Sequence, residues 1–224
     1  IQMSTVAKLP TPKQENSTQV TIAPPNFKVA IFRVSGTAPY VENKFSQKAR
    51  DHMAAQMSVG SQSKKGKKRE PKDFDAQYHG AMHLSEEGWH GQPASMYRQA
   101  MISACRTVGF KMTLAKLGFM IIADGIDSDD ETPLVKILEG EPKKHRTYVR
   151  LANGSPDIID RPMWRHWKTD IRIKFDADMF SLADIANLLS RAGQQVGIGA
   201  GRPDSKMSSG CGWGTFEIER EEVK

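Results

Sequence analysis

Trp167-Lys-Thr-Asp-Ile-Arg-Ile-Lys-Phe175 and, beyond a short turn, Ser181-Leu-Ala-Asp-Ile-Ala-Asn-Leu-Leu-Ser-Arg-Ala192 are the two stretches on which the fold turns. In the first, Ile171, Ile173 and Phe175 fall on one side and Arg172 and Lys174 on the other. That period of two describes a strand with one buried face. In the second, Leu182, Ile185, Leu188, Leu189 and Ala192 recur at helical spacing and predict a buried stripe. Ser181 and Asp184 make a capping-box-like start, with Asp in place of the usual Glu. Gly193 is the expected stop.

Outward from this pair, a glycine-rich loop spans Gly197 to Gly214, and Thr215 to Glu219 reads as a last strand. Toward the N-terminus, Phe27 to Ser35 alternates as a first strand ended by Gly36. Pro93 to Val108 reads as a helix, with Tyr97, Met101, Ala104, Cys105 and Val108 on its apolar face. Pro93 suits its first position and Gly109 its stop. Leu117 to Ala123 is a continuous apolar run, as in a buried central strand.

The order strand, helix, strand, insertion, strand, helix, strand predicts an α+β fold with a ferredoxin-like (RRM-type) βαββαβ core. Right-handed crossovers put both helices on one face of a four-stranded antiparallel sheet and leave the other face free to bind something or to be covered. Two long insertions interrupt the core, at about 37–88 and about 125–165. In the second, Leu134 to Leu138 and Arg146 to Leu151 are candidate strands and Ala152-Asn-Gly-Ser155 a candidate hairpin turn. Residues 1–26 are polar and rich in Pro, Thr and Gln, and read as a flexible arm preceding a single domain over 27–224.

The 224 residues carry a net charge of +6 and a pI near 9.3, a balance that attracts polyanions. Cys105 and Cys211 are the two cysteines and form no CxxC pair, so reduced thiols are expected rather than a disulfide scaffold. No run has the apolar length of a membrane span and the start lacks a signal-peptide block, so a cytoplasmic location without membrane partners is expected. The positive charge is concentrated. Lys44, Lys48, Arg50, Lys64, Lys65, Lys67, Lys68 and Arg69 fall in the first insertion, broken by Gly60, Ser61, Ser63 and Gly66. Like charges spaced by Gly and Ser repel one another until an anion neutralises them, which suits phosphate contacts.

The loop glycines Gly197, Gly199, Gly201, Gly210, Gly212 and Gly214 superficially suggest a dinucleotide or nucleotide site. Such loops leave a strand and open a helix, whereas this one leaves a helix and enters a strand. Two readings remain. Backbone N–H groups approach an anion closely where Cβ is missing, with Arg202 and Lys206 adding charge and Trp213 stacking on a base. Alternatively the loop is a long turn needing positive φ, with Trp213 as core filler. Arg98 and Arg106 lie off the apolar stripe of the first helix and are candidates to line the same groove.

The last helix, the loop with Arg202 and the segment Gly212-Trp-Gly-Thr-Phe-Glu-Ile218 resemble the C-terminal signature of the RAMP (repeat-associated mysterious protein) superfamily, the RRM-fold proteins of CRISPR systems. Trp89-His-Gly-Gln-Pro-Ala-Ser-Met-Tyr-Arg-Gln-Ala-Met-Ile102 resembles the approach to that family's first helix. The resemblance covers about Phe27 to Glu219, and within the superfamily the backbone subunit of CRISPR effector complexes is the nearest analogue, a stand-alone phage or prophage relative fitting as well. Arg202-Pro-Asp-Ser-Lys-Met-Ser-Ser209 departs from the family's compact loop. The resemblance implies binding of single-stranded RNA, homo-oligomers arranged head to tail along the strand, possible company of other effector subunits, and an insertion acting as a thumb between bases. The expected protein is a nucleic-acid binder without cofactor or catalysis. A metal-independent endoribonuclease of the same superfamily, with His52 or His166 as general base, and a phage ssDNA-binding or annealing protein are the alternatives.

Other constellations are weaker. His79 and His83 are four apart, with His90 nearby, but no further metal ligands are evident. Asp124, Asp127, Asp129, Asp130 and Glu131 read as a solvated acidic turn. Tyr40, Phe45, Trp89, Trp164, Trp167 and Trp213 lie near basic residues and suit either base stacking or the core.

Overall fold

The computed structural model describes residues 23–45, 51, 72–150, 154, 156–205 and 211–219. Its centre is an antiparallel sheet of four strands, β1 (Phe27–Gly36), β4 (Phe119–Ile122), β9 (Lys168–Asp176) and β10 (Phe216–Ile218), in the order β10-β1-β9-β4. The β1–β9 ladder runs from Phe27 opposite Asp176 to Ser35 opposite Lys168. The alternation of β9 sets its register: Thr169, Ile171, Ile173 and Phe175 are buried, and the intervening residues are not.

Two helices cover that buried face. Helix α2 (Ala94–Ala104) lies between β1 and β4 in the chain, and α4 (Leu182–Arg191) lies between β9 and β10. Tyr97, Met101 and Ala104 of α2 and Ile185, Leu188 and Leu189 of α4 share one core with Val34, Phe119, Ile171, Ile173, Phe175 and Phe216. Each such apolar side chain contributes about 1.5–3 kcal/mol by leaving water. The fold is thus α+β, with antiparallel sheets and helices layered on one side of the central sheet.

Several local expectations are corrected. Pro93 caps α2 from outside with an extended backbone, and the predicted helix tightens into a 3-10 turn over Cys105–Val108 before Gly109 ends it at φ 69°. The apolar run at Leu117 divides: Met112–Gly118 forms helix α3 and only Phe119–Ile122 is strand. Among the described residues that strand pairs with β9 alone, at the sheet edge and not as a buried central strand. The capping box at Ser181 and Asp184 is present, but Leu182 is 58% exposed because the first turn of α4 overhangs the core. Gly193 does not stop the helix. The chain widens into a π turn over Ala192–Val196, and Gly193 sits inside it where a Cβ would meet the Phe216 carbonyl oxygen at 2.2 Å. The turn ends at Gly197, φ 71°.

The insertions pair with each other, which composition does not foretell. Strand β2 (Tyr40–Val41) joins β8 (Pro156–Trp164) and β7 (Pro142–Arg150) in a second sheet. Strand β3 (Gly91–Pro93) joins β6 (Pro133–Lys136) and β5 (Gly125–Ile126) in a third. Helix α1 (Phe74–His79) rests on the β7–β8 hairpin: Tyr78 donates to the Pro142 carbonyl at 3.1 Å, and Gln77 accepts from the Asp160 N–H at 3.1 Å. Among the described residues no helix is long and apolar enough to cross a membrane.

Candidate nucleic-acid interface

Strand alternation that buries Ile171, Ile173 and Phe175 must turn their neighbours outward. On the side away from the helices the sheet therefore presents Phe27, Val29, Ile31 and Arg33 from β1, Asp170, Arg172 and Lys174 from β9, and Met120 from β4. Val29 is 57%, Ile31 65% and Met120 45% exposed. Register interleaves these apolar groups with cations. Lys174 stands between Val29 and Met120, and Arg172 between Ile31 and Ile122. The Lys174 ammonium lies 4.6 Å from the centre of the Phe27 ring. Arg33 binds Asp170 through two hydrogen bonds of 2.7 and 2.8 Å, and Arg172 pairs with Asp124. Toward β6 the face dips into a groove of about 380 Å³, walled by Ile31, Arg172, Lys136, Leu138 and Trp89.

The predicted cations meet different fates. Lys48, Arg50, Lys64, Lys65, Lys67, Lys68, Arg69 and Lys206 lie outside the described residues, as do Gly210, His52 and most of the N-terminal arm. Lys44 is corrected: it is buried, with its Nζ 2.6 Å from Asp127 Oδ1 and 2.7 Å from Asp129 Oδ2, so it does not present its charge to a phosphate. Arg98 donates to the carbonyls of Lys116 and Phe119 and pins the end of α3. Arg106 is exposed and pairs with Asp204, tying the end of α2 to the glycine-rich loop. Arg202 donates to the Gly199 carbonyl at 3.0 Å.

In the glycine-rich loop Gly197, Gly199, Gly201 and Gly214 face protein at close range, whereas Gly212 faces open space. Gly197, Gly199, Gly201, Gly212 and Gly214 all have φ between 68° and 77°. A Cβ on Gly214 would lie 1.8 Å from the Ile198 carbonyl oxygen, one on Gly199 2.6 Å from that of Val41, and one on Gly201 2.5 Å from the Trp213 ring. The loop is stitched to the β1–β2 connection by Ala200 N–H to the Val41 carbonyl (2.9 Å) and Gly214 N–H to the Pro39 carbonyl (2.7 Å). Trp213 is half-buried, edge-on to His145 with ring centres 5.2 Å apart. The turn reading accounts for these contacts.

The acidic turn holds a cluster that pattern reading missed. Asp127 is 1% exposed. Its Oδ1 accepts from Lys44 and its Oδ2 lies 2.7 Å from His83 Nδ1. Beside it, buried Glu42 accepts from Tyr40 Oη at 3.1 Å and from the His83 N–H at 3.2 Å. Burial opposes the Lys44 charge, but the hydrogen bonds it donates to the Asp127 and Asp129 carboxylates prevail and its pKa is raised. Burial alone would lift Asp127; the hydrogen bonds from Lys44, the Asp129 N–H and His83 hold it below the usual carboxylate range. Burial pushes His83 down, only partly offset by Asp127, so a neutral ring donating Nδ1–H to the carboxylate is consistent with the geometry. Burial drives Glu42 well above the usual range. His83, Asp127 and Asp130 bring ligand atoms within 4.8 Å of one another. Both Asp127 oxygens are nonetheless taken, and the Lys44 ammonium already supplies the counter-charge.

No protein-family model matches the chain, and no curated protein is similar to it in sequence. The site therefore stands on its own geometry. Of the aromatics considered for stacking, Tyr40 and Trp164 are fully buried and Trp167 is 2% exposed, so these three are core residues. Trp89, Trp213 and Phe45 retain exposed surface, and Trp89 alone of these lines the groove on the sheet. Arg172 and Lys174 were legible as the outward side of their strand; that Val29 and Ile31 share that outward face was not.

Proposed function

We propose that this chain binds single-stranded nucleic acid, RNA in preference to DNA, through the uncovered face of a ferredoxin-like (RRM-type) core, and does so without catalysis. The strand order β10-β1-β9-β4, with α2 packed on the sheet from between the first and second core strands and α4 from between the third and fourth, supports the ferredoxin-like reading. The observation that carries the function is the exposed sheet face, where Val29, Ile31 and Met120 alternate with Arg172 and Lys174. Contiguous exposed apolar surface marks an interaction site, and cations set among it suit stacked bases strung on phosphates. The basic run from Lys64 to Arg69 would add phosphate contacts, and the resemblance to CRISPR backbone subunits adds the further reading that copies line up along one strand.

The absorbance ratio of the purified protein at 260 and 280 nm, before and after RNase and DNase, reads the ligand directly. Binding of labelled single strands across a salt series then compares the parent with Lys174→Glu. The expected result is a co-purifying RNase-sensitive nucleic acid and a loss of affinity of about fivefold or more in the variant. Absence of single-strand binding at low salt, or equal affinity in Lys174→Glu, overturns the placement on the sheet.

A further inference from the structure

The geometry points to a nucleobase-stacking subsite on Trp89; it rests on the nucleic-acid reading above. Trp89 precedes β3, and its ring is seated on backbone. A Cβ on Gly125 would lie 2.8 Å from the ring and one on Gly91 3.0 Å from it, so two glycines clear the space beneath it. The indole N–H is held by Glu87 at 3.1 Å, which fixes the ring in its plane. Its partly exposed surface lines the groove opposite Ile31, and the Lys136 ammonium stands 5.7 Å from the ring centre. A braced aromatic ring beside a cation, on the rim of an exposed sheet, is the arrangement by which single-strand binders hold a base while a lysine meets its phosphate.

The groove of about 380 Å³ is at the small end of ligand clefts and suits one nucleotide rather than a folded partner. The carboxylates that border it are already engaged: Asp170 with Arg33, Asp124 with Arg172, and Glu87 with the indole itself. The lining therefore favours no particular base, and stacking on Trp89 is the contact that would hold one.

The test is titration of the full chain with short oligocytidylate and oligouridylate, followed by tryptophan fluorescence and by an independent binding measurement, for the parent, Trp89→Phe and Trp89→Ala. Trp164 and Trp167 are buried, so a quench on binding reports Trp89 or Trp213. Both oligonucleotides are expected to quench the fluorescence on binding. Trp89→Phe is expected to keep the parent's affinity within about threefold yet lose most of the quench, and Trp89→Ala to lose about fivefold or more in affinity. Undiminished affinity in Trp89→Ala, or a quench in Trp89→Phe as large as the parent's, overturns the stacking subsite while leaving the sheet reading intact. Failure of both oligonucleotides to bind overturns the sheet reading itself.

Discussion

At the scale of single residues, the buried charges make the sharpest statements. Glu42 has its pKa raised in the fold, so the folded chain keeps its proton where the unfolded chain gives it up. A raised carboxyl contributes stability that is complete below the unfolded pKa and is lost as pH rises. Glu42→Gln is therefore expected to stabilise the protein at pH 8 by about 1 kcal/mol or more, and to confer no such gain at pH 4; denaturant titrations at the two pH values measure both. His83 and Asp127 have depressed values and act in the opposite sense: the stability from His83 fades as pH falls through the ordinary imidazole range, and that from Asp127 only as pH falls through and below the ordinary carboxylate range. Lys44→Ala strands Asp127 without its buried counter-ion and should cost about 3–5 kcal/mol in the same assay. The glycines give a paired comparison. Gly212 and Gly214 both have positive φ, but only at Gly214 would a Cβ strike backbone. Gly214→Ala should cost at least about 2 kcal/mol more than Gly212→Ala by thermal or chemical unfolding.

At the scale of elements, helix α4 shows how a stripe on paper becomes an interface with edges. Ile185, Leu188 and Leu189 are buried on the sheet, whereas Leu182, on the same nominal stripe, is 58% exposed. Leu189→Ala should destabilise the chain by about 2–5 kcal/mol, and Leu182→Ala should stay within about 0.5 kcal/mol of the parent. Equal losses at the two positions in a denaturant series would contradict the layer assignment. The central sheet makes a related point. β1 puts Ala30, Phe32 and Val34 inward and Val29 and Ile31 outward, so its bulkier aliphatic pair faces solvent. An outward apolar set on an otherwise satisfied strand is what a binding surface requires and what core formation alone does not.

At the scale of the whole molecule, the cations on which the binding reading rests lie in two places. One is the sheet face with Arg172 and Lys174. The other is the basic run Lys64, Lys65, Lys67, Lys68 and Arg69, known from sequence. Reversing the charge of that run should weaken single-strand binding and flatten the slope of log affinity against log salt, by about 0.7 for each phosphate contact removed. An unchanged slope would place the phosphate contacts elsewhere on the chain. The described part of the first insertion does not stand alone, because β2 pairs with β8 of the second insertion. The two insertions brace one another, and the buried Lys44–Asp127 pair bridges them.

The sequence by itself determined the periodic elements: the strand around Ile171 to Phe175, the capped helix after Ser181 and the helix ending near Gly109. Those signals are local, because side-chain alternation and capping are set by neighbours within a turn or two. It also offered a positive-φ turn as one of two readings of the glycine-rich loop, and the described loop glycines do adopt positive φ. Only the tertiary structure decided that Leu117 ends a helix, that Gly193 lies within a π turn, that Trp164 and Trp167 are core, and that Lys44 is an internal counter-ion. Each of these depends on a partner far along the chain, as Lys44 depends on Asp127, and no local period encodes such a partner. The same reason hid the groove at Trp89, whose walls come from β1, β6, β9 and the turn before β3 and meet only when the sheets are assembled.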